Sequence, residues 1–419
     1  MKNILILTST YLPNAGANGL ITESIVKVLK QKGFSISIIS IMSDDDESDY
    51  DIINGVEIFR VQKSKYSKFL ANRTNDHNLL NMFKNQFQLI KRRFFNLINI
   101  YKFPDFDNKQ TNQIISLTRK IVNEKKIDIV MAVNKPYSNI SALINIKKLT
   151  KEIDTVALFL DPLESINKPK ILPFSLYNFL IQQRYAKIVS KVNIVLLPIN
   201  IKTKMKEMFY FNKLNFFEYP SLNVLDFNGI KLPFKESRNI NITYAGTLDN
   251  NYRSPINFLT SMEKVNSSGT EIDINIYGKN NTNDIFSLFS ELSIHLHGYS
   301  SRLSIINAYN QSDFLINIGN LETYSVPSKI FELFSTGKPI INYVKSINDY
   351  SLRYFEKYPL KFNFYEWKDF DEQVIELKEF IYENRKKTVK PEIINKLFIE
   401  NTPDFLVEKI VTLVSERET

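Results

Sequence analysis

Val326-Pro327-Ser328-Lys329-Ile330-Phe331-Glu332-Leu333-Phe334-Ser335-Thr336-Gly337-Lys338-Pro339-Ile340-Ile341 reads as a tight loop, a short helix and the opening of a strand. Pro327 fixes the entry and Ser328 is the expected N-cap. Gly337, with Pro339 two residues on, stops the helix. Unpaired N–H groups and the dipole at a helix start favour a phosphate. Glu332 stands about one turn in, where a carboxylate could grip sugar hydroxyls beside that phosphate. Loop, anion-ready helix and carboxylate together suggest a nucleotide-sugar site. An ordinary α/β unit with a surface glutamate has the same spacing.

Working outward, the second half repeats strand, loop and helix. Residues 241–244 read as a strand running into Ala245-Gly246, with Arg253 just past the turn and a helix from Pro255. Residues 273–277 lead to Gly278, 294–296 to Gly298-Tyr299, and 313–318 to the quoted loop; helices from Phe370 close the chain. His295 and His297 alternate on one solvated strand face, where neither is given a catalytic role. In the first half, strands 2–7 and 36–41 flank a turn-rich loop and a helix with Ile21, Ile25, Val28 and Leu29 on one side. That βαβ opening lacks G-x-G-x-x-G; Gly16 and Gly19 let backbone approach a ligand or simply make a turn. Strands 127–133 and 155–160 end at Asn134 and Asp161, the side of an α/β sheet where ligands bind. Asp161 reads equally as a turn residue before Pro162. A helix over 177–189 and a strand over 193–197 complete this half.

A chain of 419 residues suggests two domains. The divisions expected are 1–219, a linker over 220–238 with Pro220 and Pro233, a second domain over 239–395, and a closing helix over 396–419 packing back towards the first. The absence of cysteine excludes disulfides and thiolate metal sites. His77, His295 and His297 show no metal-ligand spacing, so no metal is expected. The net charge of +9 is uneven: residues 1–220 carry about +13 and the remainder about −4. No zinc-finger, RNP-type or helix-turn-helix pattern accompanies it, so nucleic acid is not the expected partner. The acidic loop Asp44 to Asp49 reads as solvated. Leu79, Phe83, Phe87, Ile90, Phe94, Ile98 and Tyr101 recur at helical steps, flanked by Lys84, Lys91, Arg92 and Arg93. That helix either packs on the first domain or lies on an anionic membrane surface. Met1 to Leu7 is a core strand rather than a signal peptide, and no run is long enough to span a membrane. The expected location is cytoplasmic, with peripheral contact at the inner membrane face left open.

Taken in order, these motifs resemble the GT-B glycosyltransferases, specifically family 4 of retaining, nucleotide-sugar-dependent enzymes. Tyr244-Ala245-Gly246 with Arg253-Ser254 resembles the family's phosphate-facing loop. Val326-Pro327-Ser328-Lys329-Ile330-Phe331-Glu332 with Gly337-Lys338-Pro339 resembles the P-S-K-x-x-E variant of its donor motif. Phe103-Pro104-Asp105, Pro136-Tyr137-Ser138 and Asp161-Pro162 resemble motifs of a polysaccharide-building branch. The resemblance implies an α/β GT-B fold, two Rossmann-like domains facing each other across a cleft. It implies transfer of a hexose-type sugar from a nucleotide diphosphate donor, a UDP-sugar by preference, to a glycan or lipid-linked acceptor. No cofactor or metal is implied.

By position, Glu332 would bind the ribose and Val326, Pro327, Ser328 and Lys329 the diphosphate. Arg253, with Lys329, would neutralise the leaving group. The backbone at Gly246, Gly278 and Tyr299 would meet the donor, with Gly16 and Gly19 covering its phosphates. Asn134 and Asp161 would face the acceptor, Asp161 as a candidate catalytic group. One departure stands out. Many relatives carry a first Glu eight positions before the second; here that position is Tyr324, and the nearest acid is Glu322. The acceptor-side His of the family also has no obvious counterpart. The rival readings are a non-catalytic GT-B subunit and a GT-B-fold nucleotide-sugar epimerase.

Overall fold

The structure, a computed structural model, describes residues 2–43, 46, 48–63, 90–91, 103–104, 107–150, 152–163, 172–222, 238–250, 253–267, 269, 271–319 and 326–417. Apolar runs set its strands. Ile4 to Leu7, Ile129 to Val133 and Ile194 to Pro198 are buried at every position, as parallel strands covered on both faces must be.

The first unit comprises Met1–Pro220 and Pro403–Thr419. Its strands are β1 (Asn3–Leu7), β2 (Ser35–Ile41), β3 (Tyr50–Ile53), β4 (Val56–Val61), β5 (Ile129–Val133), β6 (Asp154–Leu158), β7 (Ile194–Pro198) and β8 (Leu214–Phe217). They form one sheet in the order β3-β4-β2-β1-β5-β6-β7-β8, in which only β3 runs antiparallel to its neighbour. The helices α1 (Ala17–Gln31), α2 (Asn108–Glu124), α3 (Ser138–Leu149) and α4 (Phe174–Lys191) divide between its faces. Leu5, Leu7, Val130 and Ala132 pack with Ile114 and Ile121 of α2, Leu143 of α3 and Tyr185 of α4. Their alternates Ile4, Ile6, Ile129 and Met131 pack with Ile25 and Leu29 of α1 and with Leu406 and Ile410 of the closing helix, Pro403–Ser415. The period-two pattern thus feeds two separate cores.

The second unit runs from Ser221 to Thr402, beyond the 395/396 division drawn from sequence. Its strands β9 (Ile240–Ala245), β10 (Leu248–Asp249), β11 (Ile272–Tyr277), β12 (Asn280–Asn281), β13 (Ser293–Gly298), β14 (Phe314–Ile318), β15 (Ile340–Val344) and β16 (Lys361–Tyr365) alternate with helices. The main sheet is parallel, in the order β13-β11-β9-β14-β15-β16, while β10 pairs with β12. The helices are α5 (Ile256–Asn266), α6 (Arg302–Gln311), α7 (Lys329–Ser335), α8 (Leu352–Lys357), α9 (Phe370–Asn384) and α10 (Pro391–Leu397).

One reading of the sequence needs revision. The acidic loop is not simply solvated: the Asp46 side chain is buried against the equally buried Arg60, with Nε–Oδ2 at 3.3 Å. Arg60 also holds Asp51 and donates to the carbonyls of Leu12 at 2.8 Å and Ser48 at 3.0 Å, so one guanidinium ties three segments together. Burial pushes the Asp46 carboxyl up, but bonds from Ser43 and Asn14 and the Arg60 charge bring it below its ordinary value. The β3–β4 hairpin and α2 were not read from the sequence at all. The helix expected over 79–101 lies outside the described residues, with Lys84, Arg92 and Arg93, except that Ile90 and Lys91 are helical and exposed. Glu322, Tyr324 and residues 223–237 of the expected linker also lie outside them.

Candidate functional site

α7 is held by its apolar side. Phe331 and Phe334 enter a nest of Tyr354, Phe355, Tyr358 and Phe398; the Phe334 and Phe398 rings stack at 4.8 Å and 4°. Ile330 and Leu333 are buried as well, which leaves Lys329 and Glu332, three apart and so on one face, partly exposed. The expected Ser328 cap does not form. Ser328 is itself helical (φ −53°, ψ −28°) and its hydroxyl makes no capping bond. Ile330 and Phe331 donate instead to the carbonyls of Pro327 and Ser328, each at 3.1 Å, a tight first turn that satisfies donors a cap would have taken.

The carboxyl ends of β9 and β11 meet α7. Gly278 has φ +114°, and a side chain there would come within 2.4 Å of the Gly246 carbonyl oxygen. Gly246 N–H donates to Tyr277 O at 2.8 Å, and Gly278 N–H to Gly298 O at 2.6 Å, so both amides are used within the unit. A side chain at Gly246 would meet the Tyr244 hydroxyl at 2.8 Å and the Lys329 ammonium at 2.9 Å. That ammonium lies over the Tyr244 ring, 4.5 Å from its centre. The Arg253 guanidinium bonds the Tyr244 hydroxyl, which donates to Thr247 O at 3.1 Å.

Two cations therefore share one tyrosine. Burial pushes the Lys329 ammonium down to about 7, with Glu332 opposing and Arg253 adding to the shift. Burial pushes the Tyr244 hydroxyl up to about 12, with Arg253 opposing. Glu332 accepts from Arg302 at 3.1 Å, and both side chains remain part-exposed. Lys345, just past β15, is held below its usual value by burial, against the pull of Glu366 and Asp249 and with Arg253 repelling it. Tyr299 is 96% exposed.

Sequence reasoning assigned no role to Tyr244, Arg302 or Lys345. Arg302 did carry a signal: a cation in the first turn of a helix opposes the dipole and calls for an anion nearby.

In the first unit, Gly16 and Gly19 serve the packing of α1. A side chain at Gly19 would fall 2.2 Å from the Thr10 carbonyl oxygen, and Gly16 N–H donates to Thr10 Oγ1 at 3.0 Å. Asn134 and Asp161 do come together beyond β5 and β6. Asn134 Nδ2 donates to the Asp161 carbonyl at 2.6 Å, while its Oδ1 and the nearby Ser138 Oγ are buried with no hydrogen-bond partner among the described residues. Lys135 closes on the Asp161 carboxylate at 2.6 Å, and the Tyr219 hydroxyl sits 3.2 Å from its other oxygen. Among the described residues no group of acidic or histidine side chains could hold a metal, and no helix is long and apolar enough to cross a membrane.

The two α/β units, each built on a largely parallel sheet, have the GT-B class of fold, that of known glycosyltransferases. No protein-family profile and no curated protein matches the sequence. Solved structures match over the whole chain. A glycosyltransferase from Rickettsia africae ESF-5 is similar at TM-score 0.62 and 14% identity, covering 99% of this chain and 98% of its own. Sucrose-phosphate synthase from Thermosynechococcus elongatus gives 0.60 at 8%, with 99% of each chain covered. The catalytic domain of starch synthase IV from Arabidopsis thaliana, bound to ADP and acarbose, gives 0.57 at 10%, again with 99% of each covered. At these identities the likeness is one of fold.

Proposed function

We propose that this chain is a glycosyltransferase that moves a hexose-type sugar from a nucleotide diphosphate donor, a UDP-sugar by preference, to a glycan or lipid-linked acceptor with retention at the anomeric carbon. The observation that carries this reading is the convergence of Arg253 and Lys329 on Tyr244 at the carboxyl end of β9, with Glu332 one turn along. Two cations beside a glycine-lined strand end suit a diphosphate. As the bond from anomeric carbon to phosphate oxygen breaks, its electron pair passes to the phosphate, and these cations offset that charge without requiring a metal. Glu332, now engaged by Arg302, has the chemistry to take ribose hydroxyls. Asn134, Ser138 and Asp161 supply acceptors for sugar hydroxyls in the first unit. The starch synthase IV structure carries ADP, a ligand of the same diphosphate chemistry.

Calorimetry with UDP and UDP-glucose tests the donor half. The parent chain binds, and Arg253→Ala and Lys329→Ala each weaken binding at least about tenfold, the worth of one charge-assisted contact. Undiminished binding in both variants refutes the reading. Chelators leave turnover unchanged. One observation favours a non-catalytic subunit instead: Lys135 already occupies the Asp161 carboxylate. Tight UDP binding with no transfer to any glycan would select that alternative.

A further inference from the structure

We propose that Arg302 is a positioning residue of the donor site: by holding the Glu332 carboxylate it keeps that group off Lys329, so that one ligand meets an uncommitted ammonium and a carboxylate oxygen side by side. Lys329 and Glu332 stand three apart on one face of α7, the spacing at which opposite charges close on each other. Here they do not. Among the described residues no ion pair joins them. The ammonium lies over the Tyr244 ring, 4.5 Å from its centre, and the carboxylate turns to Arg302 at the start of α6. Arg302 Nη1 donates to Oε1 of Glu332 at 3.1 Å, which leaves Oε2 for a ligand hydroxyl.

Stability does not account for the contact. The two side chains are 47% and 35% exposed, and an ion pair so open to water adds little. A cation as the first residue of α6 also opposes the helix dipole. What the contact changes is the charge beside Lys329. Burial holds that ammonium down, with Glu332 opposing and Arg253 adding to the shift. The groups around it are Tyr244 of β9, Arg253 just past β10 and Glu332 of its own helix, with Tyr309 of α6 beside Glu332 and Arg302. Arg302 therefore reaches Lys329 through Glu332. Without it, the carboxylate is left to close on Lys329, and one salt bridge then occupies both groups. The proposal rests on the transferase reading for its ligand, a nucleoside diphosphate whose phosphates take the ammonium and whose ribose takes Oε2.

The test follows Lys329 itself. Acetylation of the full chain by acetic anhydride, from about pH 5 to 10 and read by mass spectrometry, gives the titration midpoint of each lysine. Arg302→Ala should raise the Lys329 midpoint by about one unit, as a newly adjacent carboxylate does. Arg302→Lys, which can still hold Glu332, should keep it near the parent's, and Arg302→Ala in a Glu332→Gln background should leave it in place. Calorimetry adds the ligand. The parent should bind UDP about tenfold more tightly than 2′-deoxy-UDP, and Arg302→Ala should bring that ratio close to one. A midpoint unmoved by Arg302→Ala, or moved as far in the Glu332→Gln background, overturns the proposal whatever happens to thermal stability. So does a UDP to 2′-deoxy-UDP ratio that Arg302→Ala leaves intact. Because the labelling needs no ligand, the two readings fail separately. A parent that does not bind UDP removes the transferase and leaves the separation of Lys329 from Glu332 to be decided by the midpoint. UDP binding with no midpoint shift keeps the transferase and removes the role of Arg302.

Discussion

Lys329 sits on a tyrosine face with an arginine close by, and its ammonium is held near 7. A bound diphosphate favours the charged form and raises that value, so the complex carries more protons than the free chain. Affinity for UDP-glucose is therefore expected to fall as pH rises above 7, by at most about tenfold per unit, and to level off above the bound value. Calorimetry between pH 6 and 9 reads the slope, which Lys329→Met should flatten. Arg60 works at the same scale. Replacing it with methionine leaves Asp46 buried without its cation, at an expected cost of about 3–5 kcal/mol in urea unfolding of the first unit. The resemblance assigned Lys329 to the diphosphate, but the burial that shifts its ammonium was not legible in the sequence, nor was the part played by Arg60. Lys329 was visible as a helix-start lysine, but its neighbours Tyr244 and Arg253 are brought to it by the fold, and Arg60 lies apart from its partners Leu12 and Asp46.

At the scale of elements, the buried strands were legible because uninterrupted aliphatic runs admit few other readings. The β3–β4 hairpin could have been found too, since Asn54-Gly55 between apolar runs is a hairpin signal, and both residues have positive φ (53° and 70°). α2 was obscured by the stronger apolar period just before it; its true mark was Asp107, whose side chain accepts the Gln110 N–H at 3.1 Å. The approach of β9 to β11 could not be foreseen, because nothing in Gly246 or Gly278 alone says that the two strand ends touch. Gly278→Ala puts a methyl group against the Gly246 carbonyl at an unfavourable φ. The expected cost is about 2–4 kcal/mol, with UDP binding lost together with thermal stability.

At the scale of the molecule, the two-unit plan was legible from length and from the repeated strand–loop–helix order. The chain's return to its first unit shows in the closing helix, where Leu406, Val407, Ile410 and Val414 are buried. Each such side chain is worth about 1.5–3 kcal/mol, together comparable with the whole stability of a domain. A chain ending at Thr402 should therefore keep the second unit's thermal transition and lose the first unit's, as scanning calorimetry would show.

That return also constrains biosynthesis. A ribosome releases residues 221–402 before the helix that completes the earlier-made half, so the nascent amino-terminal sheet waits with part of one apolar face, the part beside α1, uncovered while the later half matures. Holdase chaperones should then find their target there, and slowing translation near the end of the message should prolong that exposure.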